Sequence, residues 1–250
     1  MNLTALEEEL ANLFANGLSD HRTAAIILAA GNSTRMGGIN KQTEPVGGIP
    51  VLARTLLAYE DCPLIQEIVL VIRLSDFPFA RELQKTYRIS KLKKLVTGGE
   101  TRQESAKRGL EELGDEIRFV AIADGARCLI TSEKITRVCL AAYRHHAASA
   151  AHKVSDTVKR ANSLGGVIET VDRSNLWTVQ TPQVFNKVLY LAAHAKAEED
   201  GFAGTDDNSL VEHLGYRVYL EECGNDNLKI TTPEDLVLAN AIIRIREEQA

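Results

Sequence analysis

Residues 24–41 read AAIILAAGNSTRMGGINK, a short apolar run followed by a loop of glycine and polar residues. The run AAIILA (24–29) contains isoleucine and carries no charge, which is typical of a strand that is buried on both faces. The loop then supplies Gly31, two further glycines and the cations Arg35 and Lys41. A buried strand therefore ends in a loop that can present backbone N–H groups and positive charge to a ligand.

The first half of the chain alternates strand patterns with helix patterns. Three more short apolar runs follow the first strand: EIVLVI (67–72), KKLVT (93–97) and FVAIAD (119–124). Helical patterns separate the runs, near 49–60, 76–88 and 102–113. Because parallel strands need crossover connections, this order predicts an α/β fold with a mostly parallel sheet and helices on both faces. Ligands of such sheets bind beyond the carboxyl ends of the strands. The loops that open at residues 30, 98 and 124 are therefore expected to line one crevice.

The pattern changes after residue 146. Alternating and β-branched residues surround the turn NSLGG (162–166), which predicts a protruding β-hairpin arm at about 152–173 before the chain returns to the sheet. Two helix patterns, one strand and a last helix complete the chain: 186–199, 206–214, YRVYLE (216–221) and a helix from Pro233. Repeats and long linkers are absent, so residues 23–250 are expected to form a single domain.

The first 22 residues carry a separate pattern. Apolar side chains fall at helical spacing at Leu3, Leu6, Leu10, Leu13 and Phe14. Three consecutive glutamates interrupt them at positions 7–9. This spacing predicts an appended amphipathic helix over residues 1–22, which would dock on the body or on a partner.

Composition excludes several classes of protein. The formal net charge of −5 over 250 residues argues against a nucleic-acid partner, because such binders carry a clustered basic excess. The longest apolar run is too short to span a bilayer, and the first 20 residues lack the pattern of a secretory signal. We therefore expect no membrane partner and a cytoplasmic location. The four cysteines are scattered without a C-x-x-C pair, which predicts buried, reduced thiols.

The glycine-rich loop after the first strand is suited to phosphate but lacks two familiar motifs. Neither the G-x-G-x-x-G of dinucleotide-binding proteins nor the G-x-x-x-x-G-K-[ST] of P-loops is present. The loop backbone can still hold phosphate oxygens, and Arg35 and Lys41 can offset negative charge that builds on a phosphoryl group. Taken alone, the loop leaves open that both cations are solvated surface charges.

Six ordered segments resemble one known family. They are LAAGNSTRMGGINKQ, GGETRQES, IADGAR, DTVKR, VDRSNLWTVQTPQ and GNDNLKITTPEDL, within residues 23–245. They are similar to the signature segments of the 2-C-methyl-D-erythritol 4-phosphate cytidylyltransferase family, nucleotidylyltransferases with a Rossmann-like fold. The resemblance implies that a substrate phosphate attacks the α-phosphorus of CTP and releases pyrophosphate, in isoprenoid precursor synthesis by the non-mevalonate pathway. Near relatives transfer CMP to ribitol 5-phosphate, so the sugar-alcohol phosphate that accepts CMP stays open.

The resemblance implies roles for three cations and two carboxylates. Arg35 and Lys41 would grip the triphosphate, and Lys229 would contact the substrate phosphate; these are the implied catalytic residues. A general base is not required, because the attacking phosphate is already anionic near neutral pH. Mg²⁺ bridging the triphosphate is the implied cofactor, with Asp124 and Asp226 as candidate ligands. A helix cap is the structural alternative for Asp124.

Nucleotide contacts are implied in the loops after three strands. The residues are Ala29, Ala30, Gly31, Gly98, Gly99, Ser105 and Asp124. Glycine lets the cytosine ring approach the backbone, and the Ser105 hydroxyl is suited to its polar edge. The segment GGETRQES (98–105) also fits an ordinary strand-to-helix turn in which Thr101 caps the helix. Arg102 either braces this loop or reaches the nucleotide.

The acceptor side is implied to use four residues, Arg127, Thr157, Arg173 and Thr181. In the family, the second and third come from the arm of the neighbouring subunit, so the resemblance implies a homodimer with composite sites. Arginine suits a phosphate ligand because its planar donors engage two oxygens at once. A mobile surface hairpin is the alternative for the arm.

Several positions depart from the family pattern. The family usually reads DAARP where this chain reads DGARC, Glu100 stands where aspartate is common, and KQTEP replaces the usual apolar or aromatic residue after KQ. Gly125 is expected to add backbone freedom, and Cys128 removes the rigidity of proline. Two other functions remain open: a nucleotide-binding regulatory module without turnover, and a dehydrogenase. The intact cationic set argues against the first, and the missing dinucleotide motif argues against the second.

Overall fold

The structure is a computed structural model that describes residues 21–31 and 40–249. The predicted helix over residues 1–22 therefore lies outside the described residues except for His21 and Arg22, which are not helical. Arg35 also lies outside them.

The described elements alternate along the chain as predicted. The strands are β1 (Thr23–Leu28), β2 (Pro45–Val46), β3 (Ile49–Pro50), β4 (Ile65–Ile72), β5 (Leu92–Thr97), β6 (Phe119–Asp124), β7 (Ala147–Lys153), β8 (Val158–Ala161), β9 (Val167–Val171), β10 (Trp177–Asn186) and β11 (Tyr219–Glu222). The helices are α1 (Val51–Glu60), α2 (Phe77–Thr86), α3 (Arg102–Glu111), α4 (Ser132–His145), α5 (Lys187–Glu199), α6 (Asp207–His213) and α7 (Pro233–Glu248). A short 3₁₀ turn, Leu74–Asp76, precedes α2.

Seven of these strands form one sheet in the order β11-β7-β10-β6-β1-β4-β5. Neighbouring strands are parallel except at β10, which runs antiparallel to both β6 and β7. This arrangement confirms the α/β fold with a mostly parallel sheet. Strand β1 lies next to β6 on one side and β4 on the other, so the opening loop leaves the middle of the parallel part.

Alternate residues of β1 enter the two halves of the core. Ala25 and Ile27 face the layer that contains α1, α2 and α4. Ala24 and Ile26 face the layer that contains α3, α5 and α6. All four side chains are fully buried, which explains why the strand reads as an unbroken apolar run.

The last strand begins later than its pattern predicted. Residues 216–221 alternate as a strand does, but pairing with β7 begins only at Tyr219. The backbone N–H of Tyr216 instead donates to the carbonyl of Val211 and closes the end of α6. The alternation of residues 216–221 gives no sign of this hydrogen bond.

The arm is a two-stranded hairpin, β8 and β9, around the predicted turn. The Asn162 side chain accepts hydrogen bonds from the N–H groups of Leu164 and Gly166, which fixes the turn. Residues 154–176 are all exposed or half-exposed. Leu164 has 93% of its surface exposed, so the arm stands away from the described body of its own chain.

All four cysteines are free and buried, as predicted. Within residues 21–31 and 40–249, no helix combines the length and the apolar character that a bilayer crossing needs.

Helix α3 packs its Gly109 directly against the sheet. A Cβ at this position would lie 2.5 Å from Ile26 Cγ2 and 3.0 Å from Val71 Cγ2. Both neighbouring side chains are fully buried, so they have little room to move. The glycine thus sets the distance between β1 and the helix that begins at Arg102.

We expect Gly109→Ala to lower the free energy of unfolding by about 1–3 kcal/mol, because overpacking at a rigid contact outweighs the better helix propensity of alanine. Urea unfolding followed by circular dichroism measures the change. Glu111→Ala, on the exposed side of the same helix, is the control and should change stability by less than about 0.5 kcal/mol. Equal stability of Gly109→Ala and the wild type would show that the helix can shift.

Candidate active site

A cavity of about 490 Å³ opens at the carboxyl ends of the parallel strands. Its lining comes from the loops after β1, β4, β5 and β6 and from the segment before α7. The residues are Leu28, Ala29, Ala30, Gly31, Lys41, Gln42, Arg73, Leu74, Thr97, Gly98, Gly99, Glu100, Thr101, Arg102, Ser105, Asp124, Ala126 and Lys229. The loops that open at 30, 98 and 124 therefore meet in one crevice, as expected.

Backbone hydrogen bonds between neighbouring strands continue up to the edge of this cavity. The Ala29 N–H donates to Val71 O at 2.7 Å, and the Gly98 N–H donates to Ile72 O at 3.2 Å. The Gly125 N–H donates to Leu28 O at 2.8 Å. The loop residues thus start from fixed positions on neighbouring strands.

Asp124, the last residue of β6, is surrounded by three cations. Lys229 Nζ lies 2.9 Å from its Oδ2, and Arg127 Nε lies 3.3 Å from the same oxygen. Arg102 Nε lies 3.7 Å from Oδ1. Burial alone would raise the pKa of Asp124, but the three positive charges outweigh burial and lower it. The carboxylate stays ionised and the cluster keeps a positive excess.

Arg102 spans the crevice between two carboxylates. Its Nη1 lies 2.6 Å from Oδ2 of Asp207, a residue of α6 that is completely buried. The Tyr190 hydroxyl donates to the other oxygen of Asp207 at 2.6 Å. Burial lowers the pKa of Arg102, but Asp207 and Asp124 more than offset this effect and hold it above its ordinary value. Arg102 is therefore a fixed cation that lines the cavity.

Lys41 lies close to the segment that carries Lys229. Lys41 Nζ donates to the carbonyl oxygen of Ile230 at 3.0 Å. The bond places the predicted triphosphate lysine beside the residue that follows Lys229. Two predicted catalytic lysines thus share one cavity, while the third predicted catalytic residue, Arg35, lies outside the described residues.

The predicted base-reading loop is braced by its own side chains. Ser105 Oγ accepts from the Gly99 N–H at 3.0 Å and donates to Thr101 O at 2.9 Å. Thr101 Oγ1 accepts from the Glu104 N–H, so it caps α3 as predicted. Because its proton is directed at Thr101, the Ser105 hydroxyl retains one acceptor lone pair for a ligand.

Two predicted acceptor residues lie behind Asp124 and not on the cavity wall. Arg127 is mostly buried, and its Nη1 donates to Asn227 O at 2.7 Å. Burial is the main reason that the pKa of Arg127 is lowered from its ordinary value. Thr181 is buried, and its hydroxyl accepts from the Asp124 N–H at 3.0 Å. In this structure both residues hold Asp124 in place.

The remaining predicted site residues lie elsewhere. Thr157 and Arg173 are exposed on the segments that flank the arm hairpin, and Arg173 donates to Ser155 O. The carboxylate of Asp226 pairs with Lys134 of α4 and Arg246 of α7. Asp226 is not among the described residues that line the cavity.

The donor set around Asp124 is consistent with Mg²⁺ brought in with a nucleotide. In the part of the chain that is described, no group of three or more histidine, cysteine or acidic side chains is placed to hold a metal. Mg²⁺ commonly binds through one or two carboxylates, with phosphate oxygens and water as its other ligands. Asp124 suits that mode because its carboxylate lines the cavity, whereas Asp226 is not among the described residues of the lining.

Two of the departures from the family pattern, Gly125 and Cys128, lie in packed surroundings. A Cβ on Gly125 would lie 3.0 Å from Ala29 Cβ and 3.2 Å from Leu52 Cδ1. The φ angle of Gly125 is not positive, so the residue provides space for Ala29 and not the added freedom that was expected. Cys128 is buried beneath α7, and burial raises the pKa of its thiol to about 11.

Sequence reasoning missed Arg73 and Asp207. Arg73 follows the apolar run of β4 directly, so the rule that ligands meet the carboxyl ends of strands was a usable signal. Asp207 lies more than 80 positions from Asp124, and only the packing of α6 against α5 brings it to Arg102. No local pattern marks such a partner.

We expect Asp207→Asn to lower the free energy of unfolding by about 3 kcal/mol, because it leaves the partly buried Arg102 without its nearer carboxylate. Chemical denaturation measures the difference. The control is Asp200→Asn, which breaks an exposed pair with Lys196 and should cost less than about 1 kcal/mol. If the two variants lose equal stability, Asp207 does not anchor Arg102.

Comparison with known proteins gives a consistent result. The family model for 2-C-methyl-D-erythritol 4-phosphate cytidylyltransferase matches residues 23–245. A protein of that name from Caldanaerobacter subterraneus is 44% identical over 224 residues, covering 88% of this chain and 98% of the relative. Another from Syntrophus aciditrophicus is 42% identical over 228 residues, covering 90% and 97%.

Crystal structures agree with the sequence matches. The 4-diphosphocytidyl-2C-methyl-D-erythritol synthase of Anaerococcus prevotii superposes with a TM-score of 0.81 at 32% identity, covering 90% of this chain and 96% of that one. The 2-C-methyl-D-erythritol 4-phosphate cytidylyltransferase of Thermus thermophilus gives 0.73 at 34% identity, covering 89% and 99%. The chain therefore belongs to the 2-C-methyl-D-erythritol 4-phosphate cytidylyltransferase family.

Proposed function

We propose that this protein transfers CMP from CTP to 2-C-methyl-D-erythritol 4-phosphate and releases pyrophosphate, in the non-mevalonate route to isoprenoid precursors. The observation that carries the proposal is the cation-lined cavity beside Asp124, in a chain that matches the family over residues 23–245. Among the described lining residues, four are cations and two are acids. This local excess contrasts with the net charge of −5 for the whole chain.

The reaction brings together two anions, the substrate phosphate and the triphosphate of CTP. Their repulsion is the main obstacle, and fixed positive charges reduce it without any movement of the protein. Lys41, Arg102 and Lys229 supply such charges from three different segments. The attacking phosphate needs no general base, so these residues act by binding and by orienting the reactants.

Mg²⁺ dependence is part of the proposal, with Asp124 as the protein ligand. When bound, the ion would neutralise charge on the triphosphate oxygens. The support is the character of Asp124, an ionised carboxylate on the cavity wall.

We further propose a homodimer in which the arm of one subunit completes the acceptor site of the other. Thr157 and Arg173 do not line the cavity of their own chain. The arm exposes apolar residues, namely Leu164, Val167 and Ile168. A solvent-exposed hairpin with apolar side chains gains stability when a second subunit covers it.

A cytoplasmic location also belongs to the proposal. The support is the set of four free, buried cysteines, which suits a reducing compartment.

The decisive assay is pyrophosphate release by the purified protein with CTP and Mg²⁺. Methylerythritol 4-phosphate and ribitol 5-phosphate are offered separately, with UTP, ATP and GTP as controls and EDTA to test the metal. We expect rapid pyrophosphate release only when CTP and methylerythritol 4-phosphate are supplied together with Mg²⁺. Faster pyrophosphate release with ribitol 5-phosphate would show that methylerythritol 4-phosphate is not the acceptor. No release with either acceptor would show that the protein does not catalyse the transfer.

We expect Lys41→Ala to reduce kcat/KM for CTP by about 100-fold or more, because one fixed charge at the phosphates is lost. Its melting temperature should change little, since a partly exposed lysine contributes little to stability. Lys93→Ala, an exposed lysine on β5, is the control and should retain wild-type activity. A Lys41→Ala enzyme with most of its rate would remove Lys41 from the catalytic set.

Mixing two inactive variants tests the arm. Arg173→Ala damages the arm and Lys41→Ala damages the cavity, so a mixed dimer regains one intact composite site. After subunit exchange of equal amounts, we expect activity of about one quarter of the wild type, since half the dimers are mixed and each has one good site. If the mixture stays inactive although subunit exchange has been demonstrated, the arm does not contribute to the active site of the neighbouring subunit.

A further inference from the structure

A buried amide, Asn227, lies behind the Asp124 cluster, which consists of Asp124, Arg102, Arg127 and Lys229. Asn227 is completely buried and is not among the described residues that line the cavity. It belongs to the segment between β11 and α7, which is neither helix nor strand. Two residues later, the same segment carries Lys229 into the cavity. The position of such a segment depends on individual hydrogen bonds, because no helix or strand ladder fixes it.

Asn227 joins this segment to two others. Its Nδ2 donates to Gln180 Oε1 and to Thr181 O, both at 3.0 Å. Its backbone carbonyl accepts from Arg127 Nη1 at 2.7 Å. Gln180 Nε2 in turn donates to Gly224 O at 2.9 Å, near the start of the Asn227 segment. One buried residue therefore connects β10, the loop after β6 and the segment before α7.

The side chain of Asn227 replaces regular strand pairing at this point of β10. The register between β10 and β7 shifts between Val179 and Gln183, and Gln180 and Thr181 lie within the shift. Both residues are buried. A buried oxygen that loses its donor is destabilised, so loss of Nδ2 favours movement of the segments that it joins. Asn227 Oδ1 accepts no hydrogen bond from the described residues, so the side chain acts through Nδ2.

The groups that Asn227 joins are those that hold Asp124. The Asp124 N–H donates to Thr181 Oγ1 at 3.0 Å. Its Oδ2 lies 3.3 Å from Arg127 Nε and 2.9 Å from Lys229 Nζ. Thr181 and Arg127 contact Asn227 directly, and Lys229 follows it in the same segment. A shift of Asn227 would therefore move three of the groups around Asp124.

We propose that Asn227 is a positioning residue for the transfer of CMP. Its Nδ2 fixes the segment that carries Lys229 relative to Asp124, and it does so from outside the cavity. The inference rests on the proposed function for the role of the Asp124 cluster. Fixed charges accelerate a phosphoryl transfer only when they are held at the reacting groups, and a displacement of about 1 Å can cost about 100-fold in rate.

CTP binding depends less on Asn227 than the rate does. The loop after β5 is held by its own contacts: the Gly98 N–H donates to Ile72 O, and the Gly99 N–H donates to Ser105 Oγ. These bonds do not involve the Asn227 segment. Loss of the Asn227 amide is therefore expected to lower kcat more than it weakens the binding of CTP.

Kinetics of full-length variants test this role. Asn227→Asp keeps the shape of the side chain but has no Nδ2 donor when ionised, and Asn227→Ala removes the amide altogether. Gln180→Met removes one of the two acceptors of Nδ2 and is the milder variant of the set. Pyrophosphate release with CTP, methylerythritol 4-phosphate and Mg²⁺ gives kcat, and equilibrium binding gives Kd for CTP.

The control is Asn186→Ala, which removes an equally buried amide at the opposite edge of the sheet. Asn186 pairs with Phe119, the first residue of β6, and its Oδ1 accepts from the N–H groups of Val188 and Leu189 at the start of α5. Loss of this cap should lower the melting temperature and leave kcat of the folded enzyme unchanged. The control thus separates loss of stability from loss of positioning.

We expect both Asn227 variants to lower kcat by about 10- to 100-fold and to change Kd for CTP by less than about 5-fold. Gln180→Met should lower kcat in the same direction. A crystal structure of Asn227→Asp should show Lys229 Nζ more than about 4 Å from Asp124 Oδ2, beyond the range of an ion pair.

Three results would overturn the inference: a kcat within about 2-fold of the wild type in the folded variants of Asn227 or Gln180, an equal loss of kcat in Asn186→Ala, or an unmoved Lys229 in the crystal structure of Asn227→Asp. Failure of the proposed function looks different, because the wild type itself would then release no pyrophosphate. In that case the position of Lys229 in the variant structure decides the positioning role.

Discussion

The structure depends on one buried carboxylate and the cations that surround it. Asp124 ends a central strand in a position where an isolated charge would be costly to bury. Arg102, Arg127 and Lys229 offset that cost, and each comes from a different segment of the chain. The cluster therefore joins the loops after β5, β6 and β11 around one point. It also leaves a positive excess where an anionic substrate would lie.

A positive cluster is useful for catalysis only if its members stay in place when the ligand is absent. Asp207 and Tyr190 hold Arg102 from behind, and the carbonyl of Ile230 holds Lys41. Thr181 fixes the backbone of Asp124 itself. Each support lies in the core or in the backbone, where little movement is available. The described part of the crevice is thus organised before substrate arrives, as electrostatic stabilisation of a phosphoryl transfer requires.

The sequence predicts the parts of this arrangement that follow from strand order. Short apolar runs identify β1, β4, β5 and β6. Parallel strands bring their carboxyl ends together, so Asp124, Gly98 and Lys41 were expected in one crevice. Long-range packing decides the rest. Asp226 pairs with Lys134 and Arg246 because α4 and α7 meet there, and Asp207 reaches Arg102 only through the packing of α6. Gly125 packs tightly against Ala29, and no turn pattern reveals this contact.

The most direct measurement is a crystal structure of the protein with CTP and Mg²⁺. The charge distribution predicts phosphate oxygens within hydrogen-bond distance of Lys41 and Lys229, a cation beside Asp124, and the base at the β4–β5 end next to Gly98. A nucleotide bound with its phosphates away from the Asp124 cluster, or outside the crevice, would contradict the assignment of this cavity as the active site.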